Sequence, residues 1–169
     1  YCIENKKHIL VEKPIFLKNK KSFLMLEKIA RQNKVVCYTA YNHRFEPHFM
    51  RMKKIINSKK LGKLYNCRIF YGNGTAKLVK KNWRDSGKGV RTDLLPHLLD
   101  ICRFWFGKSL KEFKLVSSNK FENKATDHAN FISKKSKIKI NLEISYVMWK
   151  NTFTCDLLAS KGSAHINNL

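Results

Sequence analysis

Residues 8–39 read as strand, helix and strand in close succession, and this order limits the fold more than any other feature of the chain. Residues 8–12 (His-Ile-Leu-Val-Glu) are a short apolar run suited to a buried strand. Pro14 stops it, because proline has no N–H to give to a ladder. Over 18–32, Phe23, Leu26, Ile29 and Ala30 recur at helical spacing, with Lys, Glu and Arg on the opposite side. Residues 34–39 return to a strand pattern. A helical crossover of this length joins parallel strands. Residues 1–41 are therefore expected to form the end of a doubly wound, nucleotide-binding sheet.

The pattern then changes. Residues 46–57 read as an amphipathic helix, with Phe49, Met52, Ile55 and Ile56 on one side, stopped near Gly62. Residues 64–71 alternate as a strand, and 72–91 form a long loop with four glycines, a length usually kept for function. An apolar helix is expected over 92–106, ending at Gly107. Strands follow near 112–117, 127–133, 137–149 and 152–159, with a turn into another at 160–166. Several antiparallel strands that follow a helix suggest an α+β sheet domain, and the whole chain reads as α/β passing to α+β. The chain begins without Met just ahead of a strand that needs neighbours, so it is expected to be a piece of a longer protein.

Composition removes several classes. The net charge is +23, but only seven of the 35 basic residues are Arg, and the Lys are spread along the chain. Nucleic-acid readers lean on clustered Arg and aromatic motifs, so a solvated basic surface is the expected reading and no nucleic-acid partner is assigned. A basic nucleic-acid-binding module stays as a rival resting on the charge alone. No apolar run approaches the roughly 18 residues of a membrane helix, so no membrane partner is expected. The five cysteines form no CxxC pair, which points to reduced thiols in a cytoplasmic protein.

Four segments carry candidate chemistry. Asp93 and His97, spaced i, i+4, would share one helix face, where a carboxylate can fix an imidazole's tautomer and raise its basicity. The same spacing also suits a helix-capping Asp and a core His. Glu12-Lys13-Pro14 lies at the C-terminal end of a probable parallel strand, where ligands sit in open α/β sheets; Lys13 could hold a substrate oxygen, or be a solvated turn lysine. Tyr41 to His48 follows the second strand and also suits an inter-domain connection with a helix cap. His43 and His48 do not share a helical face, so no metal site is expected. Trp83-Arg84 in the long loop suits a sugar ring and an anion, or anchors the loop.

In order, the segments resemble the Gfo/Idh/MocA family of NAD(P)-dependent oxidoreductases. The matching stretches are residues 8–14 ending in Glu12-Lys13-Pro14, residues 41–47 (Tyr-Asn-His-Arg-Phe-Glu-Pro), Leu61-Gly62-Lys63, Trp83-Arg84, and Gly87-x-Gly89-Val90-x-x-Asp93-x-x-x-His97-x-x-Asp100. The resemblance implies a Rossmann domain ending in residues 1–41, followed over residues 42–169 by the family's C-terminal substrate and oligomerisation domain, an open and mostly antiparallel sheet with helices on one face, truncated at its end. It implies Lys13, Asp93 and His97 as the catalytic set, and Glu12, Lys13 and Pro14 beside the nicotinamide. It further implies Asn42, Arg44, Trp83 and Arg84 beside substrate, with NAD or NADP as cofactor. The expected partners are a sugar, nucleotide-sugar or cyclitol whose hydroxyl carbon exchanges hydride, and further copies of the chain in a dimer or tetramer. Lys88 and Leu95-Pro96 depart from the family's small residues, which touches loop shape and substrate identity. The Gly-rich phosphate turn is not in this sequence. A non-catalytic, ligand-binding relative of the same fold is the second alternative.

Overall fold

The computed structural model describes residues 1–15, 19–107 and 112–167. It divides into two units, Tyr1–Asn42 and His43–Leu169. In the first unit, strands β1 (Ile9–Val11) and β2 (Cys37–Thr39) pair in parallel, joined by helix α1 (Lys20–Gln32). The Asn19 side chain caps α1 by accepting the Ser22 N–H at 2.9 Å. The expected start of this helix at residue 18 lies outside the described residues. Two of the four residues expected on its inner face, Phe23 and Leu26, are exposed. A two-stranded sheet is too narrow to cover a 13-residue helix, so only the end of the apolar stripe, at Ile29 and Ala30, finds cover.

The second unit opens with a 3₁₀ turn that runs from Asn42 to Phe45 across the boundary, followed by helix α2 (Pro47–Asn57) and strand β3 (Leu64–Gly74). Beyond a loop come helices α3 (Val90–Asp93) and α4 (Leu95–Phe106), then strands β4 (Glu112–Asn119), β5 (His128–Lys134), β6 (Lys139–Ser145), β7 (Val147–Ala159) and β8 (Gly162–Asn167). The six strands form one sheet in the order β4-β5-β6-β3-β7-β8. Every pairing is antiparallel except β3 with β6, so the sheet is mixed but mostly antiparallel, as expected from the sequence.

Alternation along the strands sets the core. Cys67 and Ile69 on β3, Ile140, Leu142 and Ile144 on β6, and Phe153, Cys155 and Leu157 on β7 are all buried. They pack in one core with Phe49 and Met52 of α2 and Leu98, Ile101, Cys102 and Trp105 of α4. The helices therefore cover one face of the sheet. Arg68, Asn141, Glu143, Thr154 and Asp156 line a shallow groove on the other. No described helix is long and apolar enough to cross a membrane.

Two further sequence expectations are corrected. The helix expected over 92–106 is two helices, broken at Leu94. Pro96, in the first turn of α4, lacks the N–H that a continuous helix would donate back to residue 92. The run expected over 137–149 divides at Tyr146, which leaves the strand register to bury its ring completely. An unbroken apolar stretch hides such a break, because both the strand and the buried turn call for the same residue types.

Candidate active site

The turn before α3 places the first acidic group. Gly89 has φ +52°, and a Cβ there would lie 2.1 Å from the Thr126 carbonyl oxygen, so only glycine fits. The Val90 N–H donates to that same carbonyl at 2.8 Å. One helical turn on, Asp93 is 3% exposed. Its Oδ2 accepts the Tyr146 hydroxyl proton at 3.0 Å and lies 3.3 Å from Arg84 Nε.

Arg84 sits on a 3₁₀ turn, Trp83–Asp85, which is fixed at both ends. Asn82 Oδ1 accepts the Arg84 N–H at 2.8 Å, and Asp85 Oδ1 accepts the N–H groups of Lys124 and Ala125 at 2.7 and 3.1 Å. The guanidinium carbon is 5.5 Å from the centroid of the half-exposed Trp83 ring, a cation–π contact.

His97, buried in the first turn of α4, meets two other rings edge-on: His43 at 4.7 Å between centroids and Tyr71 at 6.0 Å. His43 is also buried, and its Nδ1 is 2.6 Å from Glu46 Oε1. Glu46 Oε2 in turn lies 3.1 Å from His48 Nε2. One carboxylate thus bridges two imidazoles, one of them against His97.

The phenols feel the carboxylates. Burial, then the Asp93 charge, raise the Tyr146 hydroxyl well above its ordinary range, while Arg84 pulls it down in part. Burial, then Asp93 and Glu46, raise Tyr71. Both phenols therefore stay protonated, and so able to donate, at any physiological pH.

The structure brings Asp93, Arg84 and Trp83 together, and the buried His97 follows Asp93 by four residues. Arg44 is engaged differently: its Nε and Nη2 fork onto Asp100 Oδ2 and Oδ1 at 2.6 and 2.5 Å, tying the 3₁₀ turn to α4. In the first unit, Glu12, Lys13 and Pro14 follow the C-terminal end of β1, and the Lys13–Pro14 peptide is cis. Asn42 is the last residue of that unit and is exposed. Among the described residues, no group of three or more His, Cys, Asp or Glu is placed to hold a metal. Sequence reasoning singled out the segment of His43 and Glu46 without giving either a role, and it missed Tyr71 and Tyr146. The i, i+3 spacing of His43 and Glu46 was a local signal for that pair. Tyr146 lies 53 residues from Asp93 and had none.

A family model described as the GFO/IDH/MocA C-terminal domain matches residues 49–165, well over half the chain. The chain belongs to the Gfo/Idh/MocA family. Among similar relatives is a myo-inositol 2-dehydrogenase of Thermotoga maritima, 29% identical over 111 residues, covering 66% of this chain and 32% of the relative. Another is a scyllo-inositol 2-dehydrogenase (NAD(+)) of Bacillus subtilis, 31% identical over 110 residues, covering 63% and 30%. A probable dehydrogenase of Thermotoga maritima superposes with a TM-score of 0.85 at 21% identity, over 99% of this chain and 52% of that one, which shows a shared fold. The chain thus spans about a third of these curated relatives and about half of the solved structure. The Gfo/Idh/MocA match begins inside α2 and takes in α3, α4 and nearly all of the six-stranded sheet.

Proposed function

We propose that this chain is part of an NAD- or NADP-dependent dehydrogenase that oxidises or reduces a hydroxyl-bearing carbon of a sugar, nucleotide-sugar or cyclitol. In this reading residues 1–41 are the end of a Rossmann domain and residues 42–169 the substrate domain. The observation that carries the reading is the buried Asp93 carboxylate, held by Arg84 and Tyr146 one turn before the buried His97. A surface capping Asp would need neither the burial nor the two donors.

Each residue has a chemical task in this reading. His97 takes the proton of the substrate hydroxyl and returns it in the reverse direction, which general-base catalysis asks of an imidazole. Asp93 orients that imidazole and balances the charge it gains. Trp83 offers a ring face to the sugar, and Arg84 anchors beside it. Lys13 polarises the reacting oxygen, an assignment that rests on the Glu12-Lys13-Pro14 motif.

The residues fit the nicotinamide end of a dinucleotide. A Lys-Pro step closes a strand of a parallel pair, at the strand end where α/β sheets take their ligands, so Glu12, Lys13 and Pro14 would line the ring. The bound nicotinamide supplies the hydride acceptor or donor, and the named side chains move only protons. Names of relatives support the class: two are inositol dehydrogenases, one of them NAD(+)-linked.

The test is turnover of the full-length protein against free and nucleotide-linked sugars and inositols, followed at 340 nm. In that protein, His97→Ala should lower kcat by roughly 10²–10⁴-fold while NADH still binds. Unchanged turnover in the variant would remove His97 from the mechanism. Failure to bind either dinucleotide would remove the dehydrogenase reading itself.

A further inference from the structure

We propose that Tyr146 is a positioning residue for the reaction: its hydroxyl sets the orientation of the Asp93 carboxylate, and one turn of the chain, 121–127, locks that pair together with Arg84. The role rests on the dehydrogenase reading above, but the contact it depends on does not.

Tyr146 is among the largest fully buried side chains, and it sits where the chain passes from β6 to β7. A tyrosine so deep must satisfy its hydroxyl, and the partner is Asp93 Oδ2 at 3.0 Å. Its backbone is held as firmly. The Tyr146 N–H donates to the Asp127 carbonyl at 2.8 Å, and its own carbonyl accepts the N–H groups of Thr75 and Ala76 at 3.1 and 3.2 Å.

Asp127 is fully buried, and its carboxylate accepts the N–H groups of Phe121, Glu122 and Asn123 at 2.9, 2.6 and 3.0 Å. That fixes the turn. The turn then grips three of the segments that meet at Asp93. Thr126 accepts from Val90 at the head of α3, Lys124 and Ala125 donate to Asp85 beside Arg84, and Asp127 accepts from Tyr146. The charged and titratable groups that interact with Asp93 are Arg84 from the 3₁₀ turn, Tyr146 from the β6–β7 junction and Tyr71 from β3, and His97 lies four residues on in α4. Of these, Tyr146 is the neutral donor bonded directly to the carboxylate, on the oxygen that Arg84 also approaches.

The experiment uses the full-length enzyme. Tyr146→Phe keeps the ring and removes the hydroxyl. It should lower kcat roughly 10–100-fold, the worth of a hydrogen bond to a charged group, with KM nearly unchanged. Placed on Asp93→Asn, the same change should cost less than about twofold, because a residue acting through Asp93 has nothing further to lose. Normal turnover in the single variant, or additive losses in the double, overturns the role. A second measurement needs neither turnover nor the Phe variant. With 13Cζ-tyrosine label, the Tyr146 signal at neutral pH should shift in Asp93→Asn, since its hydroxyl then faces an amide instead of a carboxylate. An unmoved Tyr146 signal overturns the contact. If no substrate turns over but Tyr146 responds to Asp93→Asn, the dehydrogenase reading fails and the Tyr146–Asp93 link stands.

Discussion

At the scale of single residues, one buried carboxylate can satisfy several donors at once. Asp127 makes the point: three consecutive backbone N–H groups end on one buried carboxylate, so the turn exists only while that acceptor does. Asp127→Asn keeps the shape but turns an NH2 toward N–H donors. It is expected to lower stability by about 2 kcal/mol, read as a shift in the urea midpoint. Activity should fall with it, because the same turn holds Arg84 and Tyr146. A midpoint unchanged within error would mean the turn stands without its acceptor. The pair Asp93 and His97, and Arg84 near them, were legible in the sequence because they lie within fourteen residues of one another. Tyr146 and Asp127 were not, since strand pairing alone brings them to the site, and no local pattern records which buried tyrosine meets which carboxylate.

At the scale of elements, the sheet was legible through alternation and the helices through their apolar stripes. The breaks inside them were not. Pro96 marked a helix start near residue 92, yet the chain uses it to open a second helix after a single turn. Arg44, which the family resemblance implies beside substrate, forks its guanidinium onto Asp100, which is 8% exposed on α4. Removing one partner of such a pair leaves a buried charge uncompensated. Arg44→Leu should therefore cost about 3 kcal/mol, and Arg44→Leu combined with Asp100→Leu should regain much of it. A different outcome, with stability intact and KM for substrate raised, would return Arg44 to the substrate-facing role.

At the scale of the whole molecule, the +23 charge sets solubility and local attraction of anions more than it sets the fold. The buried neutral groups add a pH dependence of their own. Cys102 is raised by burial, then by the neighbouring Cys155; Cys67 is raised by its hydrogen bond to Cys155, then by burial. The Sγ atoms of Cys67 and Cys155 are 3.7 Å apart across β3 and β7. Tyr146 is raised as well. For each, the folded state holds its proton above the pH at which the unfolded chain, with thiols near 9.0 and phenols near 10.0, lets go. The stability these groups contribute is complete below pH 9. It declines as pH rises, because the unfolded state then binds fewer protons than the native one. At pH 10 each thiol that stays protonated only when folded costs about 1.4 kcal/mol, so Cys67 and Cys102 together remove about 2–3 kcal/mol. Under reducing conditions the urea midpoint should be level from pH 7 to 8.5 and fall clearly by pH 10. Cys102→Ala should flatten about half of that fall. A profile level through pH 10 would mean that water reaches these thiols in the native state, and that the core between α4 and the sheet is looser than the packing of Leu98, Ile101 and Trp105 against Phe49 and Phe153 implies.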